Sequence, residues 1–350
     1  MSLASLALPI LRQFDPETAH KLTLMGLKTG LGPKGKPNPS NLAHACLGFQ
    51  FENPFGIAAG FDKNAEVPDA MLRIGFGFAE VGTTTPRPQA GNPRPRIFRL
   101  DEEEAVINRL GFNNDGHAAM KARLECRVRA GRTGIVGVNL GANKDSQDKA
   151  ADYVTGIKCF EGLASYFTVN ISSPNTPGLR GLQNKAELED LLGRVLVART
   201  SKVPVLLKIA PDLVAAERAD IASVALASGV DGLIVSNTTI AREGLVSGPH
   251  ADETGGLSGK PLMDKATEVL GDMYCLTRGR LPIVGVGGVA SGADAYRKIR
   301  AGASLVQLYS ALTFKGPDLV DQLKVDLSKL LARDGFAALK DAVGADIKLT

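Results

Sequence analysis

The sequence lacks several signatures that would identify a particular class of protein. In its 350 residues, no run reaches the roughly 18 to 20 apolar residues that span a bilayer, and the N-terminus has no signal-peptide pattern. The four cysteines are far apart and form no C-x-x-C pair, which indicates neither a zinc site nor disulfides and fits a reducing cytosol. No Walker A motif, dinucleotide fingerprint or metal-ligand cluster occurs. We therefore expect no metal and no membrane-spanning segment.

The charge pattern also excludes some partners. The formal net charge is +4, but Lys and Arg are not clustered in runs interleaved with aromatic residues, so we expect no nucleic-acid partner. The four histidines are scattered, and none is near a predicted strand end, so a histidine general base is not expected. The acidic run at 101–104 is typical of a solvated loop.

The first 40 residues form a region of their own. An apolar segment, 3–14, is followed by Asp15 and Pro16, which predict the N-cap and first turn of a second helix. The Gly-, Pro- and Lys-rich segment 30–41 is typical of a linker. Two interpretations are open: the helices pack on a core of their own, or they form an apolar surface that contacts lipid or covers a lipid-soluble ligand.

From residue 55 onward, short apolar β-branched runs alternate with helical patterns. Eight strands are predicted, at 55–59, 77–82, 135–139, 167–171, 205–209, 232–237, 283–287 and 304–309. The segments 185–200 and 216–229 are two of the predicted helices, the second ending at Gly229. Eight such units indicate an α/β fold, a closed (β/α)8 TIM barrel over residues 41–350. The alternative is an open doubly wound sheet. Residues 83–134 are expected to add a loop or hairpin over the barrel mouth.

Polar residues stand where these strands end, which in a barrel is the face that carries the active site. Six consecutive strand ends carry amide, hydroxyl or ammonium groups: Lys63, Thr83, Asn139, Asn170, Lys208 and Ser236. A single such residue commonly serves only its loop, but a buried Lys208 needs an anionic or electron-rich partner. Gly287, Gly288, Tyr309 and Ser310 follow the last two strands, where barrels bind phosphate. A tight turn is the alternative there.

Longer motifs resemble one family. The stretches "AAGFDKNAE", "NRLGFNNDG", "VNISSPNTPGLRGLQ", "LLKIAPDL", "GGLSGKPL", "VGVGGV" and "LYSALTFKGP" are similar to dihydroorotate dehydrogenase, in its membrane-associated, quinone-dependent class. The resemblance covers essentially the whole chain, in order, including the two N-terminal helices.

The resemblance implies oxidation of (S)-dihydroorotate to orotate in de novo pyrimidine (UMP) biosynthesis, with FMN accepting the hydride at N5. It places FMN contacts at Ala59, Gly60, Phe61, Asp62, Lys63, Thr83, Asn139, Asn170, Lys208, Ser236, Gly259, Gly288, Tyr309 and Ser310. It places substrate contacts at Lys63, Asn108, Arg109, Leu110, Gly111, Phe112, Asn170, Asn175, Asn237 and Thr238. Ser173 is implied as the catalytic base; because serine is a poor base, we expect it to relay the proton to water or a neighbouring hydroxyl.

Two features favour the quinone class. Soluble relatives carry cysteine as the base, whereas this chain has Ser173, and they lack the N-terminal helices. No iron–sulfur cysteine cluster is present. The acceptor is therefore expected to be ubiquinone or menaquinone, contacted by residues such as His20, Arg99 and Tyr309. Residues 1–40 are then expected to admit the quinone and rest peripherally on the cytoplasmic face of the cell (inner) membrane.

Two rival functions remain open at this stage. A dihydrouridine synthase is also an FMN barrel, but it would need a cysteine acid and a tRNA-binding surface, and neither is seen in the sequence. A non-catalytic ligand-binding barrel would keep the glycine phosphate site but has no need of Ser173 beside a lysine and four amides.

Overall fold

The N-terminal helices lie outside the main core. The computed structural model describes residues 3–30, 32–243, 245 and 248–349. Its first three helices are Leu3–Leu6, Leu8–Leu11 and Pro16–Lys28. The third begins as predicted, because the Asp15 carboxylate accepts hydrogen bonds from the backbone N–H of Glu17 and Thr18 and Pro16 occupies the first turn. Neither of the last two helices has a fully buried residue.

Eight parallel strands close into a barrel, as predicted. In chain order, the first to eighth barrel strands are Phe55–Ile57, Phe78–Thr84, Ile135–Leu140, Tyr166–Asn170, Val205–Ile209, Gly232–Val235, Ile283–Val286 and Ala303–Leu308. Each pairs with the next in the chain, and the eighth pairs with the first. The ladder contains no edge, so an open doubly wound sheet is excluded.

Helices follow the barrel strands and cover them. They are Pro68–Ile74, Gly116–Arg129, Lys149–Phe160, Lys185–Ala198, Ala215–Ser228, Met263–Leu276, Gly292–Arg300, Ser310–Lys315, Leu319–Arg333 and Leu339–Ala342, with 3-10 turns at Ser40–Leu42, Arg180–Gln183 and Lys260–Leu262. Because both faces of the strands are buried, their sequences are mainly apolar rather than alternating between apolar and polar residues. The helix Ala215–Ser228 ends at Gly229 in the left-handed conformation (φ 81°), as expected of that glycine.

Two small antiparallel sheets are added to the barrel. The hairpin of His44–Cys46 and Phe49–Phe51 places the Phe51 ring 5.4 Å from that of Phe78, among side chains of the barrel interior. The strands Ile97–Leu100, Ala105–Asn108 and Gly256–Gly259 form a second sheet, here called the mouth sheet. Its first two strands are the hairpin predicted within 83–134. The third was not foreseen, because it comes from the distant loop after the sixth barrel strand.

The described residues contain neither a helix that could span a membrane nor a cluster of metal ligands. None of their helices is long and apolar enough to cross a bilayer. Within the same part of the chain, no three His, Cys, Asp or Glu side chains gather in a way that could hold a metal ion.

Candidate functional site

A cavity of about 660 Å³ lies over the carboxyl ends of the barrel strands. This is within the usual size for a small-molecule site. Its walls come from the strand ends, the mouth sheet and the N-terminal helices. Most residues implied by the resemblance line it: Ala59, Gly60, Phe61, Lys63, Thr83, Asn108, Leu110, Gly111, Phe112, Asn170, Ser173, Asn175, Lys208, Ser236, Asn237, Thr238, Gly259, Gly288, Tyr309 and Ser310, together with His20 and Arg99.

Asp62 is one of three implied residues that do not line the cavity. Its buried carboxylate accepts hydrogen bonds from the backbone N–H of Glu66 (2.8 Å) and Val67 (2.7 Å). Burial raises the pKa of Asp62, and the backbone N–H groups oppose that rise only in part. Asp62 thus shapes the turn that carries Gly60 and Lys63 into the cavity.

Asn139 and Arg109 are the other two implied residues that do not line the cavity. Asn139 is fully buried and holds Thr83 and Asn170 from below. The Arg109 guanidinium bonds the Glu253 carboxylate at 2.6 Å and lies 4.6 Å from the centre of the Phe98 ring. It ties the loop after the sixth barrel strand to the mouth sheet. The roles in ligand binding that the resemblance gives Asp62, Asn139 and Arg109 remain predictions.

The amides on the cavity floor hold one another in fixed orientations. Asn170 donates from Nδ2 to Thr83 Oγ1 (3.0 Å), and its Oδ1 accepts from the Ser172 hydroxyl (2.9 Å). The same hydroxyl accepts from Asn237 Nδ2 at 2.9 Å. Ser172 had no role in the sequence interpretation, because one of its two partners, Asn237, is 65 residues away in the chain. Ser172 is fully buried and fixes two of the amides predicted to bind substrate.

The Ser173 loop is fastened by a residue that sequence reasoning missed. Arg180 donates from Nε to the Ser172 carbonyl (3.1 Å) and from Nη2 to the Thr238 carbonyl (3.1 Å), while Nη1 pairs with Asp212 (2.9 Å). The only signal available was its place inside a long motif. Asn175 is also fixed, donating from Nδ2 to the Asn108 carbonyl at 3.0 Å.

Ser173 itself has a simple environment. Its side chain is almost fully buried, at 6% exposed, and its hydroxyl oxygen accepts a hydrogen bond from the backbone N–H of Asn175 (3.3 Å). Among the described residues, no carboxylate or imidazole is hydrogen-bonded to it. The hydroxyl is therefore positioned but has no adjacent base.

Two ammonium groups reach the cavity without a protein acceptor. Burial lowers the pKa of Lys63 to about 8, with the negative charge of Glu17 opposing the shift. Burial also lowers the pKa of Lys208, and Glu80 opposes it. In the part of the chain that the structure describes, neither Nζ has a hydrogen-bond acceptor. Because an unpaired buried ammonium is costly, the pair fits an anionic or electron-rich ligand.

The predicted phosphate corner has the required backbone. Gly287 and Gly288 have φ of 107° and 78°, and a Cβ on Gly288 would come within 2.5 Å of Met263. The Ser310 hydroxyl is 2.7 Å from that of Ser258, at the junction of the eighth strand with the mouth sheet. Small residues, hydroxyls and a turn with positive φ suit a phosphate group, which favours that interpretation over a turn with no ligand.

The end of the cavity under the N-terminal helices is apolar and aromatic. The Phe61 ring centre lies 5.3 Å from His20 and 5.5 Å from Tyr309, and His20 Nδ1 is 3.4 Å from the Tyr309 hydroxyl. Burial, with some contribution from Lys63, lowers the pKa of His20 to about 3, so its ring is uncharged at neutral pH. The chain positions of the histidines put none near a strand end, whereas the resemblance named His20 and Tyr309 as quinone contacts; the fold brings these two side chains together.

Ion pairs attach the N-terminal helices to the barrel. Glu17 bonds Arg96 at 2.9 Å and Arg94 at 2.7 Å. Burial raises the pKa of Glu17, but the two guanidinium groups outweigh it and lower the pKa overall. Arg96 also donates to the Asn92 carbonyl, and Asn92 Nδ2 donates to the Asn175 carbonyl at 3.2 Å. The helices are thus connected to the Ser173 loop.

Comparison with known proteins gives consistent matches. The family model described as "Dihydroorotate dehydrogenase" matches residues 41–331. The chain is 69% identical over 350 residues to "Dihydroorotate dehydrogenase (quinone)" of Parvibaculum lavamentivorans, covering 100% of both chains. It is 54% identical to the protein of that name from Xanthobacter autotrophicus, covering 99% of this chain and 100% of the other.

Solved structures agree with the fold. The DHODH of Eimeria tenella in complex with ferulenol superposes with a TM-score of 0.92 at 40% identity, covering 95% of this chain and 96% of that one. The ligand-free form of the Eimeria protein gives the same TM-score and covers 100% of that chain.

Proposed function

The chain belongs to the dihydroorotate dehydrogenase family, as an enzyme of its quinone-dependent class in pyrimidine biosynthesis, and we propose how its cavity carries out the reaction. The strand ends would hold FMN, the Ser173 loop and the amides beside it would hold (S)-dihydroorotate, and the space beneath the N-terminal helices would admit a quinone. The observation that carries the proposal is one cavity that joins two unpaired ammonium groups, fixed amides and an apolar entrance. The product, orotate, serves UMP synthesis.

The residues present fit FMN, the flavin proposed for this flavin-using family. The phosphate is held by Gly288, Ser310 and the turn around them, and Gly60 and Ala59 allow the flat ring close to the backbone. Lys208 stabilises negative charge on the pyrimidine side of the ring. When bound, FMN accepts the hydride from dihydroorotate at N5 and supplies the electrons for the quinone. The other proposed contacts are Phe61, Asp62, Lys63, Thr83, Asn139, Asn170, Ser236, Gly259 and Tyr309.

The substrate side consists mainly of amides. Dihydroorotate is a small ring with imide groups and a carboxylate, so it needs several donors and acceptors and one nearby cation. Asn108, Asn170, Asn175 and Asn237 supply amide groups whose orientations are largely set by their hydrogen bonds. Lys63 supplies the cation. Further proposed substrate contacts are Leu110, Gly111, Phe112 and Thr238. Arg109, which is paired with Glu253, is the remaining one.

Ser173 is the proposed proton acceptor. It removes the proton from C5 of the substrate while hydride leaves C6. Its hydroxyl has no base beside it, so it passes the proton to water or to a neighbouring hydroxyl, and amides polarising the substrate carbonyl acidify C5. Burial around Ser173 limits the water that reaches the reacting atoms.

The N-terminal region is proposed to serve the quinone, either ubiquinone or menaquinone. Residues 1–40 form the access and membrane-contact unit, and 41–350 the FMN-binding barrel. Several apolar side chains of this region are exposed, which supports contact with lipid. They are Leu6, Ile10, Phe14, Leu22 and Met25. We propose a peripheral position on the cytoplasmic face of the cell membrane, with His20, Arg99 and Tyr309 near the quinone ring.

One observation tests the function. The purified protein should be yellow, bleach when dihydroorotate is added without oxygen, and regain colour with a quinone. The released cofactor should be identified as FMN by mass. A colourless protein that cannot be reconstituted with FMN, or a yellow one that dihydroorotate leaves oxidised, would reject the proposal.

A further inference from the structure

The Ser173 loop, residues 173–179, is closed at its base by one side chain. It runs from the residues just after the fourth barrel strand to the 3-10 turn Arg180–Gln183. Arg180, at the start of that turn, donates from Nε to the carbonyl of Ser172, eight residues back in the chain, at 3.1 Å. This carbonyl belongs to the planar peptide group that joins Ser172 to Ser173. The hydrogen bond therefore fixes the backbone from which the Ser173 side chain projects.

The same guanidinium reaches the loops after the next two strands. Its Nη2 donates to the carbonyl of Thr238 at 3.1 Å, on the loop after the sixth strand and next to Asn237. Its Nη1 pairs with Asp212, on the loop after the fifth strand, at 2.9 Å. A guanidinium is planar and its donors point in fixed directions. One side chain thus holds three loops of the barrel mouth in a single geometry.

Asp212 is itself fixed by several donors. Its side chain is 11% exposed and accepts hydrogen bonds from the Thr239 hydroxyl and from the backbone N–H of Ile240, the latter at 3.1 Å. Lys265 Nζ lies 3.1 Å from one of its oxygens. Burial raises the pKa of Asp212, but these donors together with Arg180 outweigh it and lower the pKa overall. Asp212 is therefore a charged partner for Arg180 that the loop after the sixth strand holds in place.

Neither member of this ion pair lines the cavity. The pair therefore affects a ligand only through the groups that it holds. A second attachment of the Ser173 loop is different, because Asn175, which donates from Nδ2 to the Asn108 carbonyl at 3.0 Å, lines the cavity itself. The middle of the loop is thus fastened by a proposed substrate contact, and its base by an ion pair outside the cavity.

We propose that Arg180, held by Asp212, is a positioning residue that keeps the Ser173 hydroxyl within reach of the substrate C5 proton. The inference rests on the proposed function, since it takes Ser173 to be the proton acceptor. In that step the C5 proton goes to the Ser173 oxygen, whose own hydrogen passes to water or a neighbouring hydroxyl. The electron pair of the C5–H bond forms the double bond to C6 as hydride leaves C6. A displacement of about 1 Å at such a step costs on the order of 100-fold in rate, so the backbone that carries Ser173 has to be held closely.

Arg180→Lys tests the proposal. Lysine keeps the positive charge that pairs with Asp212, but a single ammonium cannot hold both carbonyls in the guanidinium geometry. The FMN-loaded variant should be mixed with dihydroorotate without oxygen, and flavin reduction followed by stopped-flow absorbance over a range of substrate concentrations. The limiting rate should fall about 10- to 100-fold, whereas FMN content should stay at the wild-type level. The substrate dissociation constant should change by less than the rate, because the amides keep their own hydrogen bonds.

Arg194→Lys is the matched control. Arg194 lies on the helix that follows the same 3-10 turn and also pairs with an aspartate, Asp148, at 2.7 Å. The two side chains are 37% and 53% exposed, and neither lines the cavity. Exposed pairs contribute little, so the rate and the dissociation constant should stay at wild-type values. A fall in rate as large as that in Arg180→Lys would assign the effect to the loss of any arginine ion pair and overturn the inference.

A double variant shows whether Arg180 acts through Ser173. In Ser173→Ala the hydroxyl is absent, so adding Arg180→Lys should change the remaining rate of flavin reduction by less than about twofold. A merely structural role would lower the rate by the same factor in both backgrounds. Equal factors, or a normal rate in Arg180→Lys alone, overturn the inference.

Asp212→Asn covers the case in which Arg180→Lys does not fold. It removes the charge that holds Arg180 but keeps the size of the side chain, so the rate should fall less than in Arg180→Lys, and the fall should disappear when Ser173→Ala is added. If neither variant folds, the pair is needed for the fold itself and the inference is overturned. A wild type that binds FMN but is not reduced by dihydroorotate would instead reject the proposed function.

Discussion

The two ends of the cavity are built in different ways. At the barrel end, amides and hydroxyls such as Asn170, Ser172 and Asn237 are fixed to one another by hydrogen bonds, at or just beyond the ends of strands whose residues are buried. At the other end, the N-terminal helices expose apolar side chains and are attached largely by ion pairs with Glu17 and by Arg99, which bonds the Phe14 carbonyl. Rigid elements suit atom-level positioning for chemistry, and a loosely attached apolar surface suits a partner delivered from lipid. Because the two ends are built so differently, we expect the two half-reactions to be separable.

Removing the N-terminal helices should have the largest effect. Deletion of residues 1–31 should abolish quinone reduction and binding to lipid vesicles, because the apolar wall of the quinone entrance is lost. Reduction of the flavin by dihydroorotate should continue, since Ser173 and the amides remain on the barrel. Stopped-flow absorbance measures the first half-reaction, and turnover with a quinone measures the second. A water-soluble dye that still reoxidises the flavin is the control. Retained quinone turnover would show that the helices are not the entrance.

Substitution at the barrel end should give the opposite pattern. Ser173→Ala should slow flavin reduction by dihydroorotate by about 10²–10⁴-fold, the usual contribution of a proton-transfer group. FMN content and reoxidation by quinone should stay close to wild type, because the hydroxyl has no part in either. Ser172→Ala, made in parallel, tests whether the neighbouring serine only fixes the amides. We expect it to affect substrate affinity more than the rate of flavin reduction. Normal single-turnover reduction in Ser173→Ala would refute its assignment.

The smallest effect should come from the attachment between the two ends. Glu17→Gln leaves the buried Arg96 without its charged partner, at a cost of about 1–2 kcal/mol. If that cost falls on the attachment of the N-terminal helices to the barrel, the KM for quinone should rise about 5- to 30-fold. Flavin reduction by dihydroorotate should change little. Steady-state kinetics with quinone and single-turnover reduction measure the two.

An exposed ion pair between the same two regions is the control. Arg12 and Asp101 pair at 2.7 Å, with side chains that are 36% and 58% exposed. Such pairs contribute little, so Asp101→Asn should leave both half-reactions unchanged. If Glu17→Gln lowers dihydroorotate oxidation as much as it lowers quinone affinity, then the two ends are coupled through Arg96 and Asn92 and are not separable.

Much of the barrel could be predicted because its signals are local. The eight apolar runs, the Asp15 cap and the Gly229 cap are each encoded within a few residues, and all appear in the structure. Most of the candidate site followed, since strand ends of one barrel meet on one face. What was missed depends on contacts between distant segments. Ser172 and Arg180 each depend in part on a distant partner, Asn237 for Ser172 and Thr238 for Arg180, which lie 65 and 58 residues away. The third strand of the mouth sheet likewise pairs 256–259 with 105–108.

Periodicity, caps and motifs are properties of short segments. The family, the order of strands and helices, and the set of polar residues available at the barrel mouth could therefore be read from the amino-acid order. The fold was needed to show which of those residues line the cavity; Arg109 and Asn139 do not. The fold also brought the His20 ring to the Tyr309 hydroxyl. The physical reason is that burial and charge interaction depend on distance in space, which a linear pattern does not contain.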